Sequence, residues 1–140
     1  MRRVILLGVI LAGMLITPAR AFDHGFDPAS PVTRWFDALI RPDFPGSHCC
    51  GKSDAYAVEI IKDGGSSSNW TARVTDGSAI VFPDGTSRDP IANGTIIEVQ
   101  PEKVTKPSQD NPTKTAWVFM YVKRGNMEMV YCLVPMPPGM

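Results

Sequence analysis

The three cysteines constrain this chain more than any other feature. Cys49 and Cys50 are adjacent, and Cys132 stands near the far end of the sequence. In an oxidising compartment one bridge is expected from the adjacent pair to Cys132, through Cys50 or equally through Cys49. Closing the roughly 83-residue loop from Cys50 to Cys132 restricts the unfolded chain by an amount worth about 4.5 kcal/mol. That is a large part of the stability of a small domain. One thiol is left over, and a buried, inert cysteine is the expectation for it. An intermolecular disulfide, a vicinal Cys49–Cys50 bridge and a metal-binding thiolate beside His48 are the other readings. A Cys–His nucleophile would need a third group to orient the base onto sulfur, and adjacency in sequence does not supply one.

The N-terminus points to that oxidising compartment. Arg2 and Arg3 precede an uncharged apolar run, Val4 to Ile16, and Thr17-Pro18-Ala19-Arg20-Ala21 ends in an A-x-A pattern. Thirteen apolar residues rise about 20 Å as a helix, short of the roughly 30 Å hydrocarbon core. The segment 1–21 therefore reads as a cleavable secretory signal, and 22–140 as a single periplasmic or secreted domain with no permanent membrane span. The full chain has 14 basic and 14 acidic side chains. Arg2, Arg3 and Arg20 leave with the signal, so the exported domain is acidic by about three charges. That balance argues against nucleic acid and anionic lipid as partners. Hydrophobic residues make up 44% and charged ones 20%, ordinary globular usage that excludes wholesale disorder.

Within the exported domain the texture changes once. Ser30-Pro31 is a helix-start signal, and Val32, Trp35, Phe36, Leu39 and Ile40 recur at helical spacing, so an amphipathic helix is expected over about 31–40. From Ala55 to Val134 the pattern is β. Strands are expected over 55–62, 69–75, 79–82, 95–99, 114–122 and 127–134, with 87–94 and 101–113 as loops. Lys123-Arg124-Gly125-Asn126 is the clearest hairpin turn. Trp117, Phe119 and Tyr121 alternate with Val118, Met120 and Val122, so the last two strands are apolar on both faces and should be central. The fold class is mainly β: a small curled antiparallel sheet or open barrel with one N-terminal amphipathic helix and one disulfide. Pro135 to Met140 reads as an extended Pro-rich tail.

Few residues carry recognisable chemistry. There is no phosphate loop, dinucleotide fingerprint, zinc spacing or Ser/His/Asp set, and only His24 and His48 are present. Cleavage after Ala21 would start the chain Phe22-Asp23-His24. Its α-amine, two amide nitrogens and imidazole can form the square-planar four-nitrogen shell that copper(II) or nickel(II) prefers. Met127 and Met129, two apart, are read as sharing one strand face and belonging to the core. An exposed aromatic patch for a partner is expected around Trp70, Phe82 or the tail.

Several stretches occur in an order that carries a resemblance. They are Trp35-Phe36-x-x-Leu39, Pro42, Gly46-x-x-Cys49-Cys50-Gly51-x-x-Asp54-Ala55-Tyr56, Asn111-Pro112-Thr113 and Tyr131-Cys132-x-x-Pro135. Together they resemble an uncharacterised family of small secreted bacterial proteins with a Cys-Cys-Gly-x-x-Asp-Ala-Tyr core motif, over Trp35 to about Gly139. The resemblance implies a shared fold and export, and transfers no activity, cofactor or catalytic residue. Some members carry Gly directly after Asn-Pro-Thr, where this chain has Lys114, which puts that turn in question. The function expected is an exported, non-enzymatic binding or structural module of the bacterial envelope, with an unidentified protein or envelope component as partner and no cofactor. The alternative is a periplasmic copper- or nickel-binding protein using Phe22, Asp23 and His24.

Overall fold

A computed structural model of the chain describes residues 30–106, 111–137 and 139. The expected signal segment and Phe22-Asp23-His24 lie outside the described residues. The helix α1, Pro31–Ala38, starts where the sequence places it: the Ser30 hydroxyl accepts from the Thr33 amide at 3.1 Å, and Pro31 occupies the first turn. It ends two residues sooner than expected. Leu39 is already extended, and Ile40 pairs with His48 in an isolated bridge. Pro42 disfavours helical backbone at Arg41, and the Leu39 carbonyl instead accepts the Cys49 amide at 2.9 Å.

Seven strands follow: β1 Ala55–Lys62, β2 Trp70–Asp76, β3 Ile80–Val81, β4 Ser87–Arg88, β5 Ile96–Val99, β6 Ala116–Lys123 and β7 Asn126–Val134. Five form an antiparallel, nearly closed sheet in the order β5-β2-β1-β6-β7. The segment 87–94, expected as loop throughout, begins with β4, which pairs with β3 as a two-stranded ribbon. The ribbon's turn is set by Asp84, whose carboxylate accepts the Thr86 amide at 2.9 Å and hydroxyl at 2.7 Å. The β6–β7 turn is as expected. Arg124 (φ 52°) and Gly125 (φ 81°) both adopt the left-handed conformation that a two-residue hairpin matching sheet twist requires.

Only one of the last two strands is central. β6 lies between β1 and β7, and β7 ends the sheet because its outer edge meets no β5 ladder. That edge is met at one end by Val104, which bridges Leu133 in parallel while the Thr105 amide donates to the Leu133 carbonyl at 2.8 Å. The connection expected to be a polar surface loop over 101–113 thus supplies part of the closure. It also buries Asn111, 4% exposed, whose side chain accepts from the Thr113 amide and hydroxyl and donates to the Thr115 carbonyl.

β6 separates two cores. Toward the curled interior lie Tyr56, Val58, Val74, Ile97, Val118 and Met120. Toward the outside lie Phe36, Cys49, Ala55, Trp117, Phe119 and Cys132. Phe36 is the helix's main contribution, with ring centroids 5.0 Å from Trp117 and 5.4 Å from Phe119, both edge-on. Such pairs add about 0.5–1.5 kcal/mol each beyond area burial. The outer core is closed at its far side by the ribbon. There the fully buried Arg88 guanidinium donates to the carbonyls of Ser78 (2.8 Å) and Ala55 (2.8 Å), approaches Asp76, and stacks 4.9 Å from the Tyr56 ring centroid.

Candidate functional site

Cys49, not Cys50, pairs with Cys132, with Cα atoms 5.5 Å apart and 83 residues between them in sequence. The choice follows from direction. Cys132 sits opposite Phe119 in the β6–β7 register, so its side chain points to the outer face where Phe36 packs. Cys49, held by its amide to Leu39, enters the same cluster and is 0% exposed. The next residue must leave it: Cys50 turns into left-handed backbone at φ 73°, and its thiol ends half-buried rather than in the core.

Cys50 stands among charged and aromatic groups. Burial, with a smaller contribution from the Asp54 carboxylate, pushes its thiol pKa up, against an opposing pull from Arg41. The thiol therefore stays protonated near neutrality, the reverse of an activated nucleophile. Burial also raises the pKa of Asp54 and of Tyr131. Arg41 is committed to Asp43 through two bonds, Nε at 3.0 Å and Nη2 at 2.8 Å, which lowers the Asp43 pKa. Its guanidinium carbon also lies 5.9 Å from the Phe44 ring centroid and 5.7 Å from that of Tyr131. The bidentate ion pair lies within the loop that follows α1, and the Arg41 guanidinium over the Tyr131 ring is what links that loop to the β7 bulge.

Beyond this anchor the outer face is uncovered. Down β6 the outward residues run Trp117 (8% exposed), Phe119 (0%) and Tyr121 (44%), because α1 covers the first two and ends short of the third. Met129, the register partner of Tyr121, is 48% exposed, and Ile40 and Phe44 on the loop are 45% and 61% exposed. Tyr121 and Met129 are cross-strand partners, and Arg41 lies by both the Phe44 ring and the Tyr131 ring, two residues along β7 from Met129. We group the exposed Ile40, Phe44, Tyr121 and Met129 as an apolar crest. An exposed aromatic and thioether surface of this kind marks interaction sites on small domains.

The aromatic surface expected at Trp70 and Phe82 is elsewhere. Phe82 is 3% exposed, packed in the outer core with the Lys52 ammonium 5.0 Å from its centroid and ion-paired to Asp84. Trp70 is half-buried against the inner core, and its indole N–H donates to the Gly65 carbonyl at 2.8 Å. In the tail, Pro135 and Pro137 are buried and Met136 is 45% exposed. Met127 and Met129 are not core, nor on one face. Glu128 is an extra residue in the β6–β7 ladder, so Met127 falls opposite inward-facing Val122 and Met129 opposite outward-facing Tyr121.

His48 is exposed, and among the described residues no group of three or more His, Cys, Asp and Glu side chains is placed to hold a metal ion. Sequence reasoning gives Phe44 no role and places Tyr121 in a central strand, so it reaches neither as an exposed residue. The signal for Tyr121 lies in the expected lengths, a helix over about 31–40 against a strand over 114–122, and the structure has eight residues in each. A helix rises about 1.5 Å per residue and a strand about 3.3 Å, so α1 covers roughly half of β6. No protein-family model, curated protein or solved structure matches this chain.

Proposed function

We propose that the protein is an exported, non-enzymatic binding or structural module of the bacterial envelope, and that the crest of Ile40, Phe44, Tyr121 and Met129 is its contact surface. The observation that carries this reading is the crest itself: large apolar side chains left open beside a rigid, disulfide-held framework. A buried disulfide suits an oxidising compartment, and no helix among the described residues is long and apolar enough to cross a membrane. The groups nearest the crest serve adhesion better than catalysis. Cys50 is held as a thiol, and Arg41 is occupied by Asp43.

A photo-crosslinking amino acid placed at Phe44, and separately at the distant exposed Ile61 on β1, tests the reading in cells exporting the full chain. A discrete heavier product from position 44 and none from position 61 is expected. Equal smears from both positions, or no product from either, would remove the crest as a contact surface.

A further inference from the structure

A second surface, which meets the crest at Met129, lies where the sheet fails to close. Between the free edges of β5 and β7 runs an open groove of about 370 Å³, lined among others by Glu98, Gln100, Lys103, Met127, Glu128 and Val130. Two observations say what it fits. First, the β7 edge already accepts parallel backbone pairing at one point: Val104 forms an isolated bridge with Leu133, and the Thr105 amide donates to the Leu133 carbonyl at 2.8 Å. Further along that edge the Val130 carbonyl is met by the Lys103 ammonium at 2.7 Å, a side chain occupying the place of a strand N–H. From Val130 back to Met127 the described residues add no further strand. Second, the groove carries charge of one sign on both walls, Glu98 on β5 and Glu128 on β7, both exposed and outside the ion pairs formed among the described residues. Lys103 is the cation between them, and it is turned onto the Val130 carbonyl.

We infer that this groove binds an extended basic peptide segment, which pairs its backbone with the β7 edge beside Val130 and places Lys or Arg side chains against Glu98 and Glu128. Main-chain pairing supplies affinity without sequence selectivity, and the two carboxylates select the charge of the occupant. The thioethers of Met127 and Met129 are unbranched and adaptable, so they accept varied apolar side chains between the basic ones. Glu128 is itself the bulged residue, a feature that elsewhere blunts sheet edges against pairing. The experiment must therefore separate an edge built to accept from one built to refuse.

The probe is the blocked, fluorescent peptide Lys-Thr-Val-Lys-Val-Thr-Lys, titrated with the disulfide-intact exported domain and read by anisotropy. Its partners are the same peptide with Glu for every Lys, and one with Pro at the central Lys. Saturable binding of the basic peptide alone is expected, weakened about tenfold in Glu98→Gln/Glu128→Gln and strengthened in Lys103→Met, which frees the Val130 carbonyl and removes a competing cation. Amide shifts on binding should centre on residues 127–130. Binding that survives the proline substitution is simple charge attraction and overturns the proposal, as does binding indifferent to the two glutamines. Absence of saturable binding overturns it too, and leaves the bulge and glutamates as edge protection. Phe44→Ser, on the crest, should leave peptide affinity unchanged, so failure here and failure of the crest are distinguishable.

Discussion

Arg88 is 1% exposed, and its partners come from two separate stretches: Ala55 with the Tyr56 ring, and Asp76 with Ser78. Burial alone would pull its pKa down, and does, yet an arginine's ordinary value lies so high that the group remains charged. The guanidinium is tolerable inside only because carbonyls and a carboxylate meet it. Arg88→Met should leave two carbonyls short of a donor and cost about 3–5 kcal/mol in urea unfolding. A loss below 1 kcal/mol, which is about what an ordinary neutral hydrogen bond contributes, would show that the ribbon docks without it. Tyr56 beside it gives a pH-dependent counterpart. Burial, the largest cause, raises its phenol pKa from 10.0 to about 12, and its hydroxyl donates to the Asp89 carbonyl at 2.7 Å. The folded protein holds that proton more tightly than the unfolded chain does. Stability should therefore fall as pH rises through the window from 10.0 to about 12, by about 2–3 kcal/mol at its top. Tyr56→Phe should abolish that slope while costing about 1 kcal/mol at neutral pH through the lost hydrogen bond.

At the scale of elements, turns decide more than propensities do. Asn111 and Thr113 build the turn that launches β6, and the Thr113 hydroxyl accepts the Trp117 indole N–H at 2.6 Å. Lys114 follows at φ 56°, a conformation that glycine reaches without steric cost and lysine does not. The turn thus keeps a glycine-like backbone although lysine occupies it. Lys114→Gly should stabilise by about 0.5–1 kcal/mol, read as a rise in denaturation midpoint at unchanged slope. A lower midpoint would mean that the lysine side chain contributes more than the backbone conformation costs. The same scale shows what the sequence could and could not reveal. β1 falls on the expected 55–62 because alternation and a Gly-Ser loop bound it on the page. α1 begins at its Ser-Pro signal for equally local reasons. The ribbon's second strand, Ser87–Arg88, carries no alternation, since its identity comes from Arg88 reaching across to Ala55. The positions of Met127 and Met129 were misread because a bulge inverts every side chain beyond it, and Glu128 gives no sign of one. Trp70 and Phe82 are aromatic, which by itself does not say whether they are exposed. Burial of such residues depends on what folds over them, which is a non-local fact.

At the scale of the molecule, two cores on opposite sides of β6 share one strand and are held together unequally. The inner core is enclosed by strands joined through backbone ladders, so its order follows from the sheet itself. The outer core depends also on elements outside the ladders of the five-stranded sheet: α1, the loop to Cys49 and the short ribbon. The Cys49–Cys132 bridge lies in that outer core and ties its least supported segment to β7. Cys50, one residue away, ties nothing and sits at a left-handed position that costs of order 1 kcal/mol or more. The two neighbours should therefore respond oppositely. Cys49→Ser with Cys132→Ser should lose several kcal/mol, up to about 4.5 by the loop-entropy argument, whereas Cys50→Gly should be neutral or stabilising. The loss should also be uneven. Hydrogen exchange in the double serine variant is expected to accelerate first across Pro31–Ala38 and residues 80–88, while amides of β1, β2 and β6 stay protected until global unfolding. If all of these amides lost protection together, the two cores would be one cooperative unit, and the bridge would stabilise the whole sheet rather than the layer laid over it.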